Sequence, residues 1–321
     1  MKAFHIAKTG AQPTLTDLPL PDPAPGQLRV KIAACGLNFA DLLMIKGQYQ
    51  DTPAAPFTLG MEVAGTVDAL GDGVTGWTTG DRVAVFGGQG GLAEYACYDA
   101  SRCMTLPETM DFTTAAGFQI AYGTSHLALT HRALLKPKET LLVLGAAGGV
   151  GLTAVEIGKA LGATVIACAR GADKLNAARA AGADHLLDTE TADIRAEVKA
   201  LGGADVIYDP VGGDLFTAAL RASNRGARVL VIGFASGDIP PIPANILLVK
   251  NISVLGFYWG GYMSLDPQAL VSSMTELMAM HADGRLSPHI SHSLPLAQTE
   301  EALELLRSRK STGKVVVTIP Q

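Results

Sequence analysis

The chain has 321 residues, room for two domains, and its 48% hydrophobic content gives each domain a core of its own. Its 25 basic and 30 acidic residues, net -5, leave no electrostatic footprint for nucleic acid, and no run of like charge forms a polybasic membrane patch. Cys35, Cys97, Cys103 and Cys168 are scattered without a C-x-x-C spacing, as in a reducing compartment where thiols act as small buried hydrophobes.

The opening "MKAFHIAKTG" lacks a long apolar segment and reads as a first strand, not a signal peptide. The most apolar long window, 141–158, is interrupted by four glycines and Glu156, which disfavours a membrane span. A soluble, cytoplasmic protein is the expectation.

Residues 1–119 read as β-rich. Runs such as "LRVKIAA", "EVAGTVDAL" and "DRVAVFG" alternate with the turn-formers "PLPDPAPG", "GDGVTG" and "FGGQGG", a spacing that suits a compact barrel-like unit. "MDFTTAAGFQIAYGTSHLAL" then predicts a helix, with Asp111 or Thr113 as its cap.

Regular strand–helix alternation comes next. The strands are "TLLVLGA", "TVIACAR", "HLLD", "DVIYDPVG", "ARVLVIG" and "ISVLGFYW", with helices over 149–161, 173–181, 192–201 and 214–220. Short, continuously apolar strands are those of a parallel sheet covered by helices on both faces, so a doubly wound six-stranded sheet is predicted. The tail holds two amphipathic helices, "LVSSMTELMAMHADG" and "TEEALELLRSRK", and the strand "KVVVTIP", expected to return to the first domain.

The sharpest local signal is "LLVLGAAGGVGLTAVEIGKALGA". A buried strand enters Gly145, passes Gly148, Gly149, Val150 and Gly151, and becomes an apolar helix. A pyrophosphate needs free backbone amides at a helix N-terminus with no side chains in the way, and glycines supply both. The second strand ends not in the acidic residue typical of NAD sites but in Ala169 and Arg170, with Lys174 one turn later. These two cations suit a 2′-phosphate, which a carboxylate would repel, so NADPH is favoured over NADH. As solvated surface cations they would carry no such information.

Together "CGLNFADLLMIKGQY", "LGMEVAGTV", "GDRVAV", "AYGTSHLAL", the glycine loop, "YDPVGGDLF", "VIGFASGDIP" and "STGKVVV" resemble, over nearly the whole length, the zinc-free quinone oxidoreductase branch of the medium-chain dehydrogenase/reductase superfamily. Glu156 stands where that branch usually has Gln, Lys138 where it has a small or acidic residue, and Thr189 where it often has Tyr.

The resemblance implies an α/β fold with a GroES-like β-rich catalytic domain, 1–119 and 261–321, and a Rossmann NADPH-binding domain, 120–260. It places nicotinamide and substrate in the cleft between them. It also implies a homodimer formed through the strand near Ile252–Trp259. By matching positions, cofactor contacts fall on Asn38, Thr124, Gly148, Gly149, Val150, Arg170, Lys174, Val211, Gly233, Phe234, Phe257 and Lys314.

Zinc relatives carry Cys where Asn38 stands and Gly-His-Glu where this chain has "GME", so Asn38 and Met61 are non-ligands at the expected places, and no metal is expected. His289 and His292 read as exposed loop residues, and His126 and His131 as packing or surface residues. A quinone, enone or enal accepts hydride without strong carbonyl polarisation, its developing charge met by hydrogen-bond donors. Asn38 could supply an amide donor and Tyr49 a hydroxyl, while Asp41 braces the loop.

The expected activity is NADPH-dependent hydride transfer to a quinone or related activated carbonyl. Reduction of an enal, enone or enoyl-thioester double bond is the alternative. An NADPH-binding structural or sensor protein is the non-enzymatic one.

Overall fold

The computed structural model describes residues 1–320. The chain forms two compact units, one of residues 1–120 with 288–320 and the other Ala121–Ser287. Gln321, the last residue of the expected first domain, lies outside the described residues. The return to the first unit comes at 288 and not, as expected, at 261. The reason is the helix Pro267–Ala282, capped by Asp266 through Ala269 N at 3.0 Å, whose buried Ser273 meets the buried His126 ring at 2.8 Å within the second unit.

In the first unit a three-stranded sheet of Lys2–Ile6, Thr14–Asp17 and Phe57–Thr58 accompanies a seven-stranded, largely antiparallel sheet. The long strand Gln27–Gly36 is central to the larger sheet and pairs with Glu62–Leu70, Tyr95–Asp99 and the C-terminal strand Lys314–Thr318. Its inward face supplies Leu28, Val30 and Ile32 to a core with Leu59, Val63, Leu92 and Val315. Val316 lies opposite Gly36 and Val317 opposite Cys35, so the far end of the chain lies beside the start of the 36–49 loop.

The second unit holds the doubly wound sheet. Its strands lie in the order His185–Asp188, Thr164–Ala169, Thr140–Leu144, Ala204–Asp209, Ser223–Val231 and Ser253–Gly256, and every neighbouring pair is parallel. In chain order this is 3-2-1-4-5-6, the Rossmann arrangement, whose switch point lies between the first and fourth strands. Helices on both faces explain why Leu141–Leu144 and Val165–Cys168 are wholly buried.

The single helix expected after residue 110 is broken. Asp111 caps a short helix, Phe112–Ala116, through Thr114 N at 2.9 Å; a break at Gly117 precedes Gln119–Leu127, which runs into a π-turn over Ala128–Arg132. One further helix, Ala244–Lys250, comes after the proline-rich "PPIP". Among the described residues, no helix is long and apolar enough to cross a membrane.

Candidate active site

Two clusters hold the residues singled out from the sequence, one in each unit. In the first, the strand Gln27–Gly36 ends and Asn38 begins the helix Phe39–Ile45 as its N-cap. Asp41, wholly buried, returns a carboxylate oxygen to Asn38 N at 2.8 Å and takes Gly60 N on the other at 3.3 Å. Burial pushes its carboxyl up to about 6, against the lowering by those N–H groups and Lys314.

Asn38 is more constrained than a free donor would be. Its amide nitrogen donates to Glu62 Oε1 at 3.0 Å and Gly36 O at 3.3 Å, while its oxygen accepts from Lys314 Nζ at 2.7 Å. Lys314 is buried and also donates to Leu37 O and Glu62 Oε1, both at 2.7 Å. Three ammonium hydrogens thus meet three acceptors. Glu62, fully buried, further accepts from Ile120 N at 2.9 Å. Lys314 is therefore an internal cation fixing the 37–38 turn, neither a surface charge nor a group whose hydrogens are left for a cofactor. Tyr49 is half-buried at the end of the loop against the first core, and its carbonyl accepts from Thr52 Oγ1 at 2.6 Å.

Glu62 is the residue that sequence reasoning missed. It lies inside the quoted "GME", and the signal was available: an acidic side chain in an apolar strand must find partners when buried. Nor does this cluster fit zinc. Met61 is an apolar neighbour, and the two buried carboxylates at hand are already engaged, Asp41 by the Asn38 and Gly60 N–H groups and Glu62 by the Lys314 ammonium, beside which a divalent cation would be repelled. Among the described residues, no group of three or more His, Cys, Asp or Glu is arranged to hold a metal ion. His289 pairs with Thr312 and His292 with Ser291, each at 2.9 Å.

In the second unit, the glycine loop leaves the strand Thr140–Leu144 at Gly145, which adopts φ +60°, and Gly148 caps the helix Gly149–Ala160. A side chain at Gly151 would put its Cβ 2.1 Å from Gly145 O, so only glycine lets the helix start that close to the strand. At Gly148 the nearest atom would be 3.5 Å away: the helix N-terminus is open above. This is a cradle of backbone amides that fits a pyrophosphate.

Beneath it runs a chain of buried hydroxyls. Tyr208 Oη lies 3.0 Å from Ser125 Oγ, which lies 2.8 Å from Thr153 Oγ1, and Ser125 and Thr153 both reach Val150 O in the first helical turn, at 2.9 and 3.1 Å. These three were not foreseen, because hydroxyls inside apolar runs carry no local pattern.

The other expected cofactor residues gather at the same edge of the sheet. Arg170, Val211, Gly233 with Phe234, and Phe257 each come after the carboxyl end of a parallel strand, and Thr124 is buried on the helix Gln119–Leu127. Asp209 shapes the turn after the fourth strand, accepting from Val211 N at 2.7 Å and Gly212 N at 2.9 Å. Phe234 is exposed, and Phe257 is buried with its ring 5.4 Å from Tyr262. Arg170 is exposed and faces Glu190 at 3.6 Å; Lys174 is half-buried one turn into the next helix.

Glu156 also does more than its place on a helix flank suggested. One carboxylate oxygen accepts from Tyr122 Oη and the other from Ser287 N, each at 2.5 Å. The Tyr122 hydroxyl is pushed well above its usual range by burial and by this carboxylate.

Comparison with known proteins agrees with both halves. Residues 24–108 match the alcohol dehydrogenase GroES-like domain and residues 149–278 the zinc-binding dehydrogenase family. A quinone oxidoreductase-like protein 2 homolog from Nematostella vectensis is 42% identical over 301 residues, covering 92% of this chain and 82% of that protein. The quinone oxidoreductase of Thermus thermophilus, solved also with NADPH, superposes with a TM-score of 0.89 at 33% identity over 99% of this chain and all of that one. The Escherichia coli quinone oxidoreductase in complex with NADPH gives 0.89 at 29% identity over 99% of each chain. The chain belongs to the zinc-free quinone oxidoreductase family of the medium-chain dehydrogenase/reductase superfamily.

Proposed function

We propose that this protein is an NADPH-dependent oxidoreductase that reduces a quinone or a related activated carbonyl compound without a metal. The observation that carries the reading is the glycine-loop helix: its open N-terminus and the forbidden Cβ at Gly151 suit a dinucleotide, and relatives of the same fold are solved with NADPH. The amides of Gly149 and Val150, entered from Gly148, hold the pyrophosphate. Arg170 and Lys174 hold the 2′-phosphate, and Thr124, Val211, Gly233, Phe234 and Phe257 border the nicotinamide end.

Bound NADPH supplies the hydride. The rest is positioning by this chain's own groups. Asn38 acts as a positioning residue and not, as expected, as a substrate donor: its amide, fixed by Lys314, Glu62 and Gly36, holds the turn from which the 38–49 loop departs. Asp41 braces the same turn. Tyr49 is the hydroxyl proposed to meet the oxygen of the acceptor and return a proton to it.

The protein is further proposed to form a homodimer through the exposed edge of the six-stranded sheet at Ser253–Gly256. The neighbouring helix Ala244–Lys250 leaves Leu248 and Val249 77% and 67% exposed, more apolar surface than an isolated edge needs.

The deciding experiment is an NADPH-oxidation assay over quinones, enals, enones and crotonyl-CoA, with and without a chelator. Turnover of quinones that survives the chelator is the expected result. Turnover confined to the conjugated double bonds would transfer the assignment to double-bond reduction. NADPH binding with no turnover anywhere would remove the enzymatic reading.

A further inference from the structure

The strands Thr164–Ala169 and His185–Asp188 run parallel with Ala169 opposite Asp188, and Thr189 N donates to Ala169 O at 3.0 Å. The two segments after these strands therefore leave the sheet at the same edge, side by side. Asp188 ties the two exits together, because its Oδ1 accepts from Glu190 N at 3.0 Å and from Gly171 N at 3.1 Å. Those two N–H groups hold its carboxyl below the usual range. Gly171 takes φ +76° and ψ 164°, a conformation essentially reserved for glycine, with nothing within 4 Å of where a Cβ would lie. The turn is thus built by backbone geometry and not by crowding, and it places Arg170 Nε 3.6 Å from Glu190 Oε1, with the two side chains 63% and 56% exposed.

An ion pair this exposed adds little to the stability of the fold. Its consequence falls on the ligand. A 2′-phosphate reaching the Arg170 guanidinium has to displace the Glu190 carboxylate or lie beside it, and like charges repel. The ribose of NADH brings a neutral hydroxyl, which a carboxylate can accept.

We propose that Glu190 is a specificity-determining residue that moderates the preference for NADPH over NADH, competing with the 2′-phosphate for Arg170 and accepting the 2′-hydroxyl of NADH. This rests on the reading of Arg170 as the 2′-phosphate partner. The acidic residue that the second strand lacks at its end is supplied from the third, opposite the cation that replaced it.

The test measures dissociation constants for NADPH and NADH by cofactor fluorescence at low salt, for the wild type, Glu190→Gln, Arg170→Ala and the double variant. Glu190→Gln is expected to tighten NADPH about three- to tenfold, as removal of one exposed like charge allows, and to leave NADH unchanged or weaker. The gain should shrink as salt is raised and largely vanish in the Arg170→Ala background. If Arg170→Ala weakens NADPH selectively but Glu190→Gln changes both cofactors alike or neither, the Glu190 assignment alone is overturned. If Arg170→Ala weakens both cofactors equally, the 2′-phosphate reading of Arg170 falls and takes the Glu190 assignment with it.

Discussion

Lys314 places its ammonium 2.7 Å from the amide oxygen of Asn38, a residue 276 positions earlier in the chain, and the same ammonium lies 2.7 Å from Glu62. A cation from the last strand thereby fixes the loop that zinc relatives use for a ligand. The arrangement is a buried ion pair whose hydrogen bonds are all spent, and such pairs behave asymmetrically when cut.

Lys314→Met should therefore destabilise the protein by about 3–5 kcal/mol, because Glu62 is left buried with its charge uncompensated. Glu62→Leu should cost a similar amount by stranding the ammonium. Lys314→Met with Glu62→Leu should be clearly milder than the two single losses added together, since no unpaired charge remains. Urea denaturation of the four proteins reads the coupling. Strict additivity would show that the pair contributes nothing as a pair.

Gly151→Ala and Gly148→Ala separate the two jobs of the glycine loop. At Gly151 the new Cβ would meet Gly145 O at 2.1 Å, so the helix must back away from the strand. A loss of NADPH affinity of at least about tenfold is expected, as pyrophosphate amides are displaced from their places. At Gly148 the nearest atom is at 3.5 Å, and the empty protein should be hardly less stable than the wild type. Equal thermal destabilisation by both substitutions would contradict this division.

Tyr208→Phe tests the hydroxyl chain under that loop. Tyr208 is fully buried, and its hydroxyl meets Ser125 at 3.0 Å; with Ser125 and Thr153 turned toward Val150 and Ala121 carbonyls, the phenol is the donor. Its removal should cost about 1 kcal/mol of stability, the net value of one neutral hydrogen bond. Thr153→Val, one step nearer Val150 O, should cost a similar amount and also weaken NADPH several-fold, which Tyr208→Phe should do less. Calorimetric binding together with thermal melts separates the two effects; a larger affinity loss for Tyr208→Phe would reverse the order inferred for the chain.

The features legible in the sequence divide from the rest along physical lines. The six strands and the glycine loop were legible because each is written locally: continuous apolar runs for strands buried on both faces, and a cluster of glycines between strand and helix, of which Gly151 sits where a Cβ would strike Gly145 O. The fate of helix Pro267–Ala282 was not, since its amphipathic pattern states that it packs and not on what; a His126–Ser273 bond spanning 147 residues decides that. Lys314 illustrates the same limit. Its position in "STGKVVV" matches a cofactor contact of the family, whereas its burial and its partners depend on the pairing of Val316 with Gly36. Asn38 stands out in the sequence too, but the direction of its amide hydrogens is set by Glu62, 24 residues away, and only three-dimensional packing shows it.

Asp41 gives the pH dependence its sign. The carboxyl rises from an ordinary 3.8 to about 6 in the folded protein, chiefly through burial. Between these values the folded state holds the proton more tightly than the unfolded chain does, so stability from this group is fully present below pH 3.8 and is lost as pH rises through 6. The loss amounts to about 3 kcal/mol for a shift of this size. Other carboxylates, among them Asp188, are shifted downward and pull the other way, so the raw stability curve mixes both signs. The difference between wild type and Asp41→Asn isolates the effect. The amide never ionises, and the cost of presenting NH₂ to one of the N–H donors, Asn38 N or Gly60 N, does not vary with pH. Denaturation measured from about pH 4 to pH 7 should show the stability of wild type relative to Asp41→Asn falling steadily to near pH 6.5 and then levelling. A difference that stays flat across that range would mean that Asp41 remains ionised in its buried place, held by Lys314 and the two N–H groups.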